Sequence, residues 1–111
     1  MDVSADSKYL KICENAKEAK RKLGAENARR LGQRIDDLHA AENLYEYISL
    51  GIGRPHQLKG NRKEHFGIDL KHPCRLEVAV DNDPVPRLED GGIDTKAVTA
   101  VRIVFIGDYH D

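Results

Sequence analysis

Midway along this chain the spacing of apolar residues changes from three or four positions to two, and that change limits the possible folds more than any other feature. Tyr9, Cys13, Ala16 and Leu23, with Leu10, Ile12 and Ala19 beside them, make a helical stripe from Ser7 to Leu23. Asp6 or Ser7 can cap its start and Gly24 suits its end. A second helix is expected from about Ala25 to Ala40, with Ala28, Leu31, Ile35 and Leu38 at helical spacings. The lone Gly24 between the two implies a tight antiparallel helical hairpin. Asn43 to Leu50 adds a short helical turn, and GIGRP from Gly51 ends the helical pattern. In HFGIDLKHP, Phe66, Ile68 and Leu70 then alternate with polar or small residues, as in a strand with one wet face. RLEVAV places Leu76, Val78 and Val80 on one face, and AVTAVRIVFIGDYHD supplies a nearly continuous apolar strand suited to the sheet interior. Between these two lies DNDPVPRLEDGGIDTK, acidic and rich in turn formers, expected as a long exposed loop. Helices first and antiparallel strands afterwards define an α+β domain, with the N-terminal hairpin packed on a small antiparallel sheet.

At 111 residues the chain can bury one core, so a single domain over residues 1–111 is expected. No apolar run approaches the roughly 20 residues of a membrane span, and MDVSADSKYLK lacks a basic-then-apolar layout, so neither a membrane segment nor a signal peptide is expected. Cys13 and Cys74 form no CxxC pair and are read as free thiols of a reducing compartment, the cytoplasm.

A net charge of -1 conceals an uneven distribution. Residues 54–75 carry six Lys/Arg against two Asp/Glu, whereas 76–111 carry three against eight. The densest stretch is RPHQLKGNRKEHF, with His56 and His65 among Arg54, Lys59, Arg62 and Lys63. Segregated charge of this kind lets a neutral protein keep a local site for a polyanion. Lys59, Arg62 and Lys63 suit phosphate binding, or else form a basic hairpin tip. His56 and Lys59 converge only if the strand ends near Leu58 and Gly60 turns the chain. Arg75 and Arg102 lie within apolar strands, as ligand contacts or as paired arginines. At the end of the last strand stand Asp108, Tyr109 and His110, with alternation putting Asp108 and His110 on one face. His65, His72, Cys74 and His110 supply metal-binding atoms, but at spacings of no known zinc pattern, so no metal and no cofactor is assigned. Phosphate-loop, dinucleotide and nucleophile-elbow motifs do not occur.

Taken together, these pieces resemble type II toxins of the RelE/ParE superfamily, in particular the HigB-like "killer protein" branch. SKYLKIC with AKEAKRKLG resembles the family's first helix and ENARRLGQRIDDLHAAENL its second. PHQLKGNRK resembles the H-x-L-K-G-[DN]-R-K segment, KHPCRL an arginine-bearing strand, and DYH the branch's terminal signature. The resemblance implies a RelE-like fold and a ribosome-dependent endoribonuclease that cuts messenger RNA (an mRNA interferase) and halts translation. It also implies a helix-turn-helix, HigA-like antitoxin as partner. Carried over by position, the catalytic set is His56, Lys59, Asp108, Tyr109 and His110, with Arg62, Lys63 and Arg75 near phosphate. Three positions depart from the pattern: Cys74 is usually aromatic, Glu64 small and Glu77 apolar. The alternative on the same scaffold is an interaction protein without catalysis, a ParE-like gyrase poison or an inactive homologue.

Overall fold

The computed structural model describes residues 1–62 and 64–108. Strand β1 (Asp2–Ala5) leads into helices α1 (Ser7–Glu14), α2 (Ala16–Leu23) and α3 (Ala25–Ala40), and a fourth, α4, spans Leu44–Leu50. Strands β2 (His56–Gln57), β3 (His65–Asp69), β4 (Cys74–Val80) and β5 (Ala100–Asp108) follow. The α+β class and the helices packed on one face of a sheet are as expected. Two details differ. The stripe from Ser7 to Leu23 is two helices, because Asn15 leaves the helical conformation and its side chain accepts hydrogen bonds from the amides of Lys17 and Glu18, starting α2 afresh. The sheet, ordered β1-β5-β4-β3-β2, is also not wholly antiparallel: β1 pairs in parallel with β5, Asp2 opposite Ala100 through Ala5 opposite Ile103.

Alternation along the strands assigns the two faces. Phe66 pairs with Val78 and Val78 with Ile103, while Ile68 pairs with Leu76 and Leu76 with Ile106, and all of these are buried against the helices. From the helices, Leu31, Leu38, Leu44 and Tyr47 complete one cluster, each 1% exposed or less. Burying a side chain of this size contributes about 1.5–3 kcal/mol, so this cluster fixes how the helices sit on the sheet. Where β1 ends, α1 takes its place along β5, with the Tyr9 ring edge-on to Phe105 at 6.4 Å.

One irregularity decides which side of the sheet the end of β5 presents. The β4–β5 register pairs Val78 with Ile103 but Glu77 with Phe105, leaving Val104 unmatched in a bulge. Beyond it the alternation of β5 is inverted. The segment from residue 81 to 99 is also less exposed than expected. Ile93 and Val98 are buried, Arg87 and Ile93 form a bridge, and the Arg87 guanidinium pairs with Glu64 beside the basic hairpin.

Candidate active site

The face of the sheet away from the helices carries His56, His65, Gly67, Asp69, Arg75, Glu77 and Arg102. The chain reaches it through a docked turn. Gly53 lies at φ +74, and a side chain there would collide with Ile68 Cγ2, Arg34 Nε and the Asp69 carbonyl, all within 2.9 Å of an added Cβ. The Gly53 carbonyl accepts from the Asp69 amide at 2.6 Å, and Arg54 follows at φ +48 with its guanidinium on the Asp69 carboxylate at 2.6 Å. This places His56 opposite Gly67 on the edge strand β2.

Three features fix the His56 ring. Its Nδ1 lies 2.9 Å from the Arg54 carbonyl oxygen. A carbonyl only accepts, so Nδ1 carries the proton and donates, and the neutral ring keeps its lone pair on Nε2. The ring also lies against Gly67, where an added Cβ would sit 3.1 Å from His56 Cε1 and 3.3 Å from Nε2. Glycine at position 67 is thus the platform that lets the imidazole lie down on the sheet, a role that strand periodicity does not reveal. Finally, β2 ends at Gln57, the Leu58 amide donates to the His65 carbonyl, and Gly60 opens a 3-10 turn through Arg62. The condition for His56 and Lys59 to converge, an end to the strand followed by a turn, is therefore met. Lys59 is exposed and makes no ion pair among the described residues.

Two strands further in, Glu77 is 1% exposed, the only charged side chain among the buried residues described. Arg62 Nη1 donates to both of its oxygens, at 3.2 and 3.0 Å, and Arg75 grips Oε2 through Nε at 3.2 Å and Nη2 at 2.8 Å. His65 Nδ1 lies 4.0 Å from Oε1, buried and without a hydrogen-bond partner among the described residues. Both arginines expected near phosphate are thus gathered on one carboxylate, at a position where an apolar residue was expected.

Of the remaining expected residues, Lys63, Tyr109 and His110 lie outside the described residues. Asp108 is described, at the end of β5. The bulge at Val104 brings it opposite Cys74, on the side of the sheet that carries Leu76 and Ile106, while Gly107 takes the place opposite Arg75. Burial, and then the nearby Asp108 carboxylate, push the Cys74 thiol above its ordinary pKa. From His56, strand β5 is three strand spacings away, about 14 Å. His56, Arg62 and Arg75 are thus brought onto one face with Gly67 and Glu77, Lys59 lies in the turn that follows β2, and Asp108 is not on that face.

No family model matches this sequence, and no curated protein is significantly similar to it. Solved structures do match. A YoeB/ParE toxin from Agrobacterium tumefaciens superposes with a TM-score of 0.58 at 11% identity, over 98% of this chain and 99% of that one. The YoeB-YefM complex from Staphylococcus aureus gives 0.59 at 14%, over 100% and 98%, and the YoeB dimer from the same organism 0.57 at 16%, over the same shares. The fold of this chain is that of the YoeB/RelE-like toxins.

Proposed function

We propose that this chain is the toxin of a type II toxin–antitoxin system and an mRNA interferase of the ribosome. The observation that carries this reading is the His56 imidazole, laid on Gly67 with Nε2 as its proton acceptor, on the same open face as Arg62 and Arg75. In the reaction, His56 Nε2 takes the ribose 2′-OH proton while the 2′-oxygen bonds to the adjacent phosphorus. The bond from phosphorus to the 5′-oxygen breaks, and a general acid, assigned to His110, protonates the departing oxygen. A 2′,3′-cyclic phosphate and a 5′-hydroxyl result. Lys59 and Arg62 offset the charge that builds on the phosphorane, and Tyr109 stacks on a base of the message. Lys63 adds to the positive field of the hairpin.

The partner would be an antitoxin, a reading supported by the YoeB-YefM complex of a fold relative, and its helix-turn-helix, HigA-like kind is proposed from the sequence resemblance alone. The site of action would be the cytoplasm, where messages are translated; no helix among the described residues is long and apolar enough to cross a membrane.

Expression of the wild-type chain in bacteria should create message 5′ ends on translating ribosomes in register with codons. His56→Ala and His110→Ala should each abolish them, a loss on the order of 10²–10⁴-fold. Undiminished cleavage in either variant would refute its assigned role. DNA breaks with intact messages would instead favour the gyrase-poison alternative. The hold of Glu77 on both arginines is the one observation favouring an inactive homologue, since it occupies donors that a phosphate would need.

A further inference from the structure

We propose that Glu77 is a built-in competitor for the RNA phosphate, and that Arg62, not Arg75, is the arginine that leaves it to bind one. The inference rests on the nuclease reading and assigns unequal roles to two arginines that the sequence treats alike.

The two grips on Glu77 are different in kind. Arg75 sits mid-strand in β4, its side chain 13% exposed, and holds Oε2 with two nitrogens in a planar fork. Arg62 comes from a three-residue turn at the hairpin tip, its side chain 52% exposed, and reaches Glu77 through the single nitrogen Nη1. The N–H groups on Nε and Nη2 of Arg62 carry no hydrogen bond to any described residue, so this guanidinium already has donors to offer a second anion. Rotating Arg62 outward leaves Glu77 paired with Arg75. Rotating Arg75 outward would instead strand a nearly buried guanidinium and loosen a rigid strand. Only one of the two can move at modest cost.

Glu77 also sets how strongly that movement is opposed. A carboxylate and a phosphodiester are both anions that draw on the same donors, so a phosphate that engages Arg62 fully must take the guanidinium from Glu77. The three charged groups together leave a single net positive charge, where an apolar residue at position 77 would leave two. Glu77 therefore weakens RNA binding at this site, and the ribosome must supply the remaining affinity through its own surfaces. The resulting protein acts on messages positioned by the ribosome and spares free RNA.

The test uses the purified chain and a short single-stranded RNA whose 2′-hydroxyls are methylated, so that binding is separated from cleavage. Fluorescence anisotropy in about 0.1 M salt should show Glu77→Gln binding about tenfold tighter than wild type, with log K falling more steeply against log salt by about 0.7, the slope for one additional phosphate neutralised. Arg62→Gln should weaken binding more in the Glu77→Gln background than in the wild type, a coupling the double-mutant cycle isolates. Should Glu77→Gln fail to fold, the wild type still decides the question. On RNA titration the Arg62 Nε resonance should shift while that of Arg75 stays in place. Equal or weaker binding by folded Glu77→Gln, or Arg75 shifting with or in place of Arg62, overturns the inference alone. If neither wild type nor Glu77→Gln binds the RNA even in low salt, the inference falls alone; the nuclease reading falls only if the wild type also leaves no codon-register message ends on translating ribosomes.

Discussion

Two ionic clusters occupy the open face of the sheet, and their charges are reversed. At one end a single carboxylate, Glu77, lies between Arg62 and Arg75. At the other a single guanidinium, Arg102, lies between Asp6 and Asp81, with Ser4 Oγ donating to Asp81 at 3.4 Å. The first cluster carries net positive charge and hugs the sheet, its carboxylate 2% exposed. The second carries net negative charge and is open to water, all three side chains near 40% exposed. The contrast separates two uses of an ion pair. Arg102 ties the end of β1 to the start of the 81–99 segment, both already joined to β5 by backbone bonds. Its hydrogen bond to Asp6 raises its pKa above an already high value, which keeps it charged at any working pH. The Glu77 cluster instead holds cations beside His56, and only there does the balance of charge favour an anion.

Stability measurements give the largest expected difference between the two. Arg75→Gln leaves a buried carboxylate with one partner, and urea unfolding should show a loss of about 3–5 kcal/mol. Arg102→Gln removes an exposed pair and should cost about 1 kcal/mol or less. Equal losses would mean that burial does not distinguish the clusters, and the assignment of Arg75 as the fixed partner of Glu77 would fail.

The same contrast shows what the sequence made legible. Period-three and period-two spacing identified the helices and β3, β4 and β5, because burial on one face imposes those periods directly. Strand β1 escaped, since four residues of DVSA carry too little alternation and its pairing is with residue 100, a contact that no local pattern encodes. The break at Asn15 escaped because the apolar stripe runs through it, and the interruption lies in a side-chain cap. At the site, PHQLKG pointed to His56 and Lys59. The side of the sheet that Asp108 occupies depended on one unmatched residue, Val104, since a bulge reverses every position after it. Glu77 stood out as an odd residue in an apolar strand, but its hold on Arg62 and Arg75 needed the pairing of three strands.

A smaller effect separates both clusters from the helix-covered face. Tyr47 is fully buried and donates its hydroxyl to the Ile52 carbonyl at 3.1 Å; burial pushes its pKa up to about 12 from 10.0. Burial, and then Glu14, push the Cys13 thiol to about 11 from 9.0. Both folded values are raised, so the stability these groups contribute is complete below the unfolded pKa. It is lost as pH rises, from about 9 to 11 for Cys13 and from about 10 to 12 for Tyr47. Arginine keeps its charge throughout. Tyr47→Phe should therefore cost about 1 kcal/mol at neutral pH for the lost hydrogen bond, and should flatten the fall in stability above pH 10. An Arg102→Gln variant should keep the wild-type alkaline profile. A profile that changed with Arg102 and not with Tyr47 would place the alkaline weakness on the open face.

Salt should produce the smallest effect and divide the clusters most directly. In 1 M salt the screening length falls to about 3 Å, against about 10 Å at 0.1 M. The Arg102–Asp6 pair is exposed to those ions on both sides, so its coupling energy, measured by a cycle of Arg102→Gln and Asp6→Asn, starts below about 1 kcal/mol and should shrink by a few tenths over that range. Ions reach the Arg75–Glu77 pair poorly, because its side chains are 13% and 2% exposed, and its coupling should hold constant. Arg62 is the informative case, since its guanidinium is half exposed while its carboxylate partner is not. Its coupling to Glu77 should fall with salt by an amount between the other two. If it holds as constant as that of Arg75, the Arg62 side chain is locked in place and is not the arm that an RNA phosphate draws away.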